Sequence, residues 1–309
     1  MNIIFFFFQI LFVLLFSPLC IGVIRKVNAL MQSRKGASIF QPYRNLKKLF
    51  HKDEIISEDA SWIFRIAPYV VSASTLVIAT SVPIAFAPAF APAGDILVTI
   101  YLVAMGTFFL ALAAMDTGSA FGGTGSSREM TLAALAEGGL LFTMLVPAVI
   151  VGSTNIGMIA SRIGTLSIFQ YAPLLMAFVG FFLVLLSENA RYPFDNPATH
   201  LELTMVHEAM ILEYSGKRLA LLEWAAANKL FIFLILAANL FFPSTISGAV
   251  FGITLIVSGL LTLFKSLILA GVIALIESSI PKLRYFRLPD LLFTSFVLGV
   301  ISLIISIAM

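Results

Sequence analysis

The sequence predicts an all-α protein, a polytopic transmembrane bundle of about eight helices with amphipathic helices in its cytoplasmic loops. Of its 309 residues, 60% are hydrophobic and 11% are charged, whereas ordinary soluble domains are about 25% charged. So few charged side chains cannot cover a water-soluble globule, and lipid must therefore be the solvent for most of the surface. We expect a single integral membrane domain over residues 1–309.

Eight apolar segments are long enough to cross about 30 Å of hydrocarbon, which takes about 20 helical residues. The first is expected to be a retained helix rather than a signal peptide, since no basic residue precedes it and no small-residue cleavage site follows it. The sixth gives the weakest signal because it contains Lys229. The predicted spans are 3–24, 66–87, 95–115, 130–152, 167–187, 219–242, 248–276 and 288–308.

The basic residues predict the orientation of these spans. The loops after spans one, three, five and seven hold 16 of the 19 Lys and Arg residues, whereas the opposite loops hold only Arg162. Cytoplasmic loops carry the excess of basic residues in membrane proteins. We therefore expect a multi-pass protein of the cell inner (plasma) membrane with both termini outside the cytoplasm.

The first cytoplasmic loop, residues 25–65, mixes basic residues with Leu, Ile, Phe and Tyr at roughly helical spacing, so part of it is expected to lie along the membrane surface. Its charge has two interpretations: topology with attraction to anionic lipid headgroups, or docking of a cytoplasmic partner. The candidate docking residues are Arg25, Arg34, Lys35, Arg44, Lys47 and Lys48.

The second cytoplasmic loop, residues 116–129, is rich in glycine but lacks the Lys of a P-loop and follows no strand, so nucleotide binding is disfavoured. Its glycines are expected to form close backbone turns. Ser126 or Ser127 is predicted to cap the fourth span, with Glu129 in the first turn, where the helix dipole favours an acid.

Among the ionisable residues within predicted spans, we single out Glu137, Lys229 and Lys265. An acid about two turns inside a span costs several kcal/mol unless it is paired, protonated or hydrated, which makes Glu137 a functional candidate. The alternative is a neutral, hydrogen-bonded acid that only packs helices. The two lysines are weaker candidates, because a Lys side chain can snorkel toward the membrane surface. A buried Lys nevertheless loses its proton readily, which suits a proton relay.

The third cytoplasmic loop, residues 188–218, is called the motif loop below. Its acids alternate with apolar residues, unlike a merely solvated loop. Pro193 and Pro197 forbid a continuous helix at its start, whereas 198–213 is compatible with a helix that brings acids to the membrane boundary. A zinc-protease HExxH motif is excluded because Ile211 occupies the second His position. The acids are Glu188, Asp195, Glu202, Glu208 and Glu213.

No catalytic or metal site is expected in this chain. One cysteine and three histidines cannot supply the roughly four ligands of an iron–sulfur cluster or a structural zinc site. No Ser or Cys nucleophile with a His base is supported either. Glu277 is predicted to mark a helix terminus beside a basic anchor of Lys282, Arg284 and Arg287.

Several motifs carry a resemblance to a known family. The string ENARYPFDNPATHLEL at 188–203, followed by LEYSG at 212–216, resembles a loop of the complex I subunit 1 family, where E-x-x-R-x-P-F-D leads to EYSG. Residues 32–36, 41–42 and 46–50 resemble that family's first cytoplasmic loop. Residues 116–121, 125–129 and the string ALIESSIPKLR look more like the membrane subunit of group 4 [NiFe]-hydrogenases. The complex I pattern has further acids after the proline, whereas Ala, Thr and His follow Pro197 here.

The resemblance implies a subunit with eight transmembrane helices where a hydrophilic arm meets a membrane arm. Its acids would lead from a redox module to a proton path. Clustered acids suit this because they raise one another's pKa by repulsion and desolvation. The residues matched to the motif loop are Glu188, Arg191, Asp195, Glu202 and Glu213, and those matched to the acidic fourth span are Glu129 and Glu137. Glu208, Lys229 and Lys265 complete the candidate path.

The function that the resemblance implies is that of a non-catalytic anchoring and energy-coupling membrane subunit of a complex I-like respiratory hydrogenase. It would link electron transfer in cytoplasmic subunits to the translocation of H⁺ or Na⁺. Its expected partners are hydrogenase large and small subunits, iron–sulfur proteins and antiporter-like membrane subunits, all within a lipid bilayer and without nucleic acid. The [NiFe] and iron–sulfur cofactors would belong to the partners. One alternative is the corresponding subunit of complex I itself, NADH-quinone oxidoreductase, with part of a quinone site. Another is a stand-alone secondary ion transporter.

Overall fold

The computed structural model describes residues 2–57, 59–84, 94–195, 205–242 and 253–308. This part of the chain is helical and contains no β-strand, which confirms the all-α prediction. Two 3₁₀ turns, Ile163–Thr165 and Tyr285–Arg287, connect helices. The α-helices are α1 (Asn2–Met31), α2 (Gln41–Phe50), α3 (Trp62–Ala79), α4 (Ile96–Asp116), α5 (Ala120–Val151), α6 (Ile156–Arg162), α7 (Ile168–Glu188), α8 (His207–Ile211), α9 (Gly216–Leu240), α10 (Ile253–Ser279) and α11 (Leu288–Ala308).

Eight helices within the described ranges are long and apolar enough to cross a membrane, which confirms the predicted number. They are α1, α3, α4, α5, α7, α9, α10 and α11. The three short helices lie in the connections between them. Both α2 and α8 fall in loops predicted to be cytoplasmic. Of the helix expected over 198–213 the structure describes residues 205–213, and of these only His207–Ile211 is helical.

The ends of several spanning helices differ from the prediction, and α3 ends at Ala79 rather than near residue 87. Helix α1 continues to Met31, so Arg25 and Lys26 are helical rather than the start of a loop. Helix α3 begins at Trp62, where Ser61 caps it by accepting a hydrogen bond from the Ile63 amide. These charged turns were assigned to loops because hydropathy marks the apolar part of a helix and not its polar ends.

The glycine-rich segment before Glu129 is helical, so the predicted cap at Ser126 or Ser127 is wrong. Helix α5 begins at Ala120, and Ser126 donates its hydroxyl hydrogen bond to the Gly122 carbonyl one turn earlier. Glu129 is thus the tenth residue of α5, not a first-turn acid. Gly118, with a φ of +64°, forms the predicted turn between α4 and α5. Gly122 serves helix packing, because a Cβ there would lie 2.4 Å from the Ala114 carbonyl oxygen of α4.

Helix α9 forms the centre of the bundle. Every side chain from 230 to 241 is buried, and Phe233 and Phe241 both pack against Phe181 of α7 at centroid distances of 5.8 and 5.1 Å. The peripheral helices instead expose long apolar stripes. On α10 the stripe is Ile256, Leu260, Phe264 and Ile268, spaced every four residues as expected for one face turned to lipid.

Helix α2 is amphipathic and lies against α1 and α9. Its Phe50 ring packs edge-on against Trp224 of α9 at a centroid distance of 6.0 Å. Its basic residues Arg44, Lys47 and Lys48 are exposed on the other side. Helix α2 therefore covers one flank of the space between α1 and α9.

Candidate functional site

A cavity of about 920 Å³ opens among α1, α3, α4 and α9, and we call it the polar cavity. It reaches from the ends of α1 and α7 to Thr107 in the middle of α4. Part of its wall is apolar, with Ile78, Val103 and Phe233 among the lining residues. The ionisable residues on its wall are Arg25, Arg34, Glu129, Glu188, Arg191, His207, Glu208, Glu223, Lys229 and Glu277.

Arg191 and Glu277 form a buried ion pair on this wall. The Arg191 Nη1 atom lies 3.2 Å from Glu277 Oε1, and the two side chains are 9% and 5% exposed. Asn28 of α1 donates a second hydrogen bond, to Glu277 Oε2. Glu277 therefore does not simply mark a helix terminus, as predicted, because it joins α1, α10 and the motif loop.

Lys229 and Glu188 form a second ion pair deeper in the bundle. Lys229 Nζ lies 2.6 Å from Glu188 Oε2, and it also lies 3.4 Å from Thr107 Oγ1. Burial of a lysine ammonium requires a charged partner of this kind. The side chain of Lys229 accordingly turns toward the cavity and Glu188.

Asp195 of the motif loop holds the loop together. Its Oδ1 lies 2.5 Å from Lys282 Nζ, and its Oδ2 accepts hydrogen bonds from the amides of Val206 and His207, both at 3.2 Å. The Leu283 amide also donates to the Pro193 carbonyl at 3.1 Å. The predicted basic anchor thus binds the motif loop, and Asp195 positions α8 without lining the cavity itself.

His207, at the start of α8, faces Glu129 of α5. The Nδ1 atom of His207 lies 3.9 Å from Glu129 Oε1, and the two side chains are 25% and 13% exposed. Burial disfavours the charged imidazolium, but the nearby carboxylates of Glu129 and Glu208 outweigh burial and raise the pKa of His207. The sequence suggested His207 only as an excluded zinc ligand.

Glu137 lies in a smaller cavity of about 310 Å³ between α4 and α5, which we call the lateral cavity. Tyr101, 72% exposed, and Phe108, also exposed, line it, so it faces the side of the bundle. Thr107 lines both cavities. The contact between Lys229 and Thr107 therefore joins the polar cavity to the site of Glu137.

Several buried polar atoms on the cavity wall have no hydrogen-bond partner among the described residues. They include Arg191 Nε, Asn28 Oδ1 and Asn189 Oδ1. Buried polar atoms of this kind are normally satisfied by ordered water. A polar cavity of this size has room for such water, which can carry protons between side chains.

The remaining predicted residues have different locations. Glu202 lies outside the described residues. Glu213 is exposed, and Lys265 is half-buried on α10, apart from the residues that line the two cavities. Of the six docking candidates, Arg25 and Arg34 line the polar cavity, whereas Lys35, Arg44, Lys47 and Lys48 are exposed outside it.

Together these features define a polytopic membrane protein with an ionisable cavity inside its helical bundle. The residues that the structure describes contain no group of His, Cys, Asp and Glu able to hold a metal ion. The chain belongs to the NADH dehydrogenase family, whose model matches residues 3–308. This result and the relatives below confirm the resemblance carried by the motif loop.

Two similar proteins come from Escherichia coli (strain K12). Hydrogenase-4 component C is 34% identical over 298 residues, which cover 95% of this chain and 92% of that protein. Formate hydrogenlyase subunit 4 is 31% identical over 281 residues, covering 91% of each. The H subunit of NADH-quinone oxidoreductase from Paraburkholderia phymatum is 26% identical over 302 residues, covering 90% of this chain and 83% of that protein.

A solved structure shares the fold. It is a chain of the membrane-bound sulfane sulfur reductase, described as an archaeal respiratory membrane complex. The TM-score is 0.84 with 21% sequence identity, and the match covers 99% of each chain. The eight-helix arrangement is thus common to chains whose sequences have diverged widely.

Proposed function

We propose that this chain is a non-catalytic, energy-coupling membrane subunit of a respiratory hydrogenase complex. It would anchor cytoplasmic redox subunits and link their electron transfer to the movement of protons, or of Na⁺. The relatives support an assembly of this kind, since their names describe one component or subunit of a larger enzyme. The observation that carries the proposal is the contact of Lys229 with both Glu188 and Thr107.

The polar cavity would respond to charge in a neighbouring subunit. A unit charge that arrives about 10 Å away changes the energy of an ionised group by about 1.7 kcal/mol at an effective dielectric constant of about 20. That energy corresponds to slightly more than one pKa unit. The pairs Glu188–Lys229 and Arg191–Glu277 place opposite charges on the cavity wall, so a charge in a neighbouring subunit would act on both pairs directly.

The lateral cavity would be the exit from this cluster. Thr107, bonded to Lys229, also lines the cavity that contains Glu137, and that cavity opens to the side of the bundle. An acid at such a position needs a partner, water or a proton. Another membrane subunit, of the expected antiporter-like type, would complete the path there.

The redox cofactors would belong to the partners. Within the described ranges no residue group is suited to hold a metal ion, and the sequence has one cysteine. The [NiFe] centre and the iron–sulfur clusters would therefore lie in the hydrogenase large and small subunits and in iron–sulfur proteins. This chain would supply only the ionisable groups that respond to them.

Two lysines of the spanning helices, Lys229 and its control Lys265, provide a direct test in the intact purified complex. Lys229→Gln removes the charge that connects Glu188 with Thr107, whereas Lys265→Gln removes an equal charge from α10, apart from both cavities. We expect Lys229→Gln to lower ion transport in vesicles at least tenfold with the complex still assembled, and Lys265→Gln to leave it within twofold. Normal transport by Lys229→Gln would contradict the proposal.

The polar cavity also favours a second candidate, a contribution to a quinone site. Its volume of about 920 Å³ and its mixture of charged and apolar walls suit an amphiphilic ligand. Quinone that co-purifies with the complex, together with inhibition by quinone-site inhibitors, would support this candidate. Hydrogen evolution from a low-potential donor in the absence of quinone would support the hydrogenase role instead.

A further inference from the structure

We propose that His207 and Glu129 form a protonation-dependent clasp between α8 and α5, which makes His207 a positioning residue for the coupling path. The clasp deepens the proposed function, because α8 belongs to the motif loop and α5 carries Glu137. Both residues of the clasp nevertheless belong to this chain, so the clasp can be tested without the partner subunits. The clasp rests on the placement of α8 and on the charges around one imidazole.

The geometry places α8 directly on α5. A Cβ added at Gly125 of α5 would lie 2.8 Å from the Ala209 Cβ and 3.0 Å from the Val206 carbonyl oxygen, so only glycine permits this approach. Arg128 Nη1 also donates to the Met205 carbonyl at 3.3 Å. His207 thus sits where a change in one side-chain contact alters how α8 rests on α5.

The motif loop fixes the backbone of His207 from the other side. Its amide donates to Asp195 Oδ2, and Asp195 is itself paired with Lys282. The backbone is therefore held while the imidazole can change its protonation state at the cavity wall. A change in the charge of the imidazole therefore acts on Glu129, whose Oε1 lies 3.9 Å from His207 Nδ1.

Charges of both signs surround the imidazole, and the negative ones are dominant. Asp195 lies beside its backbone, and Lys282 neutralises part of that charge. The imidazole faces Glu129 of α5, whose neighbour Arg128 donates to the Met205 carbonyl. Glu208 follows His207 on α8, and Lys229 faces the imidazole from α9. Of these acids, Glu129 and Glu208 account for the raised pKa of His207 in spite of its burial.

The sign of the effect follows from the raised pKa. A histidine that is easier to protonate in the folded protein stabilises the fold fully below its ordinary pKa of about 6.5. This stabilisation is lost as the pH rises through the folded-state pKa. The clasp is therefore closed at the acidic end of the physiological range and open at the alkaline end. Because Glu137 is eight residues from Glu129 on α5, about 12 Å along the axis, one rigid helix connects the clasp to the lateral cavity.

The test is a titration of ¹⁵N-histidine by NMR on the full chain in lipid nanodiscs. The three histidine signals are assigned with the variants His51→Gln and His200→Gln. We expect His207 to titrate above about 6.5, and Glu129→Gln to lower its midpoint by about one pH unit. Glu208→Gln, a matched removal of charge on α8, should lower the midpoint by less. A midpoint at or below 6.5, or one that Glu129→Gln does not change, would overturn the clasp.

A second measurement separates the clasp from the coupling role. Amide hydrogen exchange of 207–211, corrected for the intrinsic pH dependence, should accelerate about threefold to tenfold above the midpoint, and this step should vanish in His207→Gln. In the intact complex, Glu129→Gln should shift the pH profile of ion transport in the same direction as the midpoint. If the NMR midpoint moves but the transport profile does not, the clasp stands and its part in coupling is refuted. A transport failure in Lys229→Gln with a normal clasp concerns only the proposed function.

Discussion

The two halves of α9 show opposite ways of burying one helix. From 234 to 241 it lies outside the polar cavity, and Phe241 packs against Phe181 of α7. From 222 to 233 it lines the polar cavity, where Glu223 and Lys229 lie. Stability in the first of these halves, the dry half, comes from packing, whereas in the polar half it depends on every charge having its partner.

The largest expected effect is the loss of one partner from the Arg191–Glu277 pair. Arg191→Ala should lower the free energy of unfolding by about 3–5 kcal/mol, because Glu277 is then buried without a counter-charge. Phe241→Ala in the dry half should cost a similar amount, because it leaves a cavity in the apolar packing. Chemical denaturation of the purified chain measures both.

A second substitution distinguishes the two costs. Combining Arg191→Met with Glu277→Met removes both buried charges and fills the space, so most of the lost stability should return. If the double variant is as unstable as Arg191→Ala alone, the cost comes from packing, and charge pairing does not stabilise the wall of the polar cavity.

A smaller effect is expected at Asp195, which holds the motif loop. Asp195→Asn keeps the shape of the side chain but removes the carboxylate that pairs with Lys282 and accepts two amide hydrogen bonds. We therefore expect the free energy of unfolding to fall by about 2 kcal/mol. Docking or coupling should weaken with it. Unaltered assembly together with unaltered turnover in this variant would show that the motif loop does not depend on this carboxylate.

The smallest effect is expected on the outer surface of α2. Substitution of Lys47 and Lys48 by Gln should change stability by less than about 0.5 kcal/mol, since both side chains are exposed. Binding to anionic vesicles or to the cytoplasmic partner subunits should weaken instead. Flotation with vesicles and co-purification of partners, measured on the same variant, decide between the two interpretations of this basic surface.

The sequence predicted the spans well because a run of about 20 apolar residues has few alternative structures. It predicted the polar ends of helices poorly. Ile21, Arg25, Asn28 and Gln32 all line the polar cavity at helical spacing, but in the sequence a charged turn at the end of α1 resembles the start of a loop. Knowing that α1 reaches Met31 would have revealed this stripe.

The candidate site was predicted by residue type and only partly by location. Glu129, Glu188, Arg191, Glu208 and Lys229 do meet in one cavity. Glu277 was missed as a partner of Arg191 because 86 residues separate them, and a single sequence does not tell which helices are neighbours. The same reason explains why Lys265 was included although α10 holds it apart from both cavities.

The most direct test of the central claim is the ratio of ions moved to electrons transferred in the intact complex carrying Glu137→Gln. The Gln side chain keeps the volume and polarity of the original one but cannot take up and release a proton near neutral pH. We expect an assembled complex in which this ratio falls severalfold, while electron transfer in the cytoplasmic subunits continues without coupled ion movement. A normal ratio with normal coupled turnover would remove Glu137 from the path and contradict the proposed coupling role.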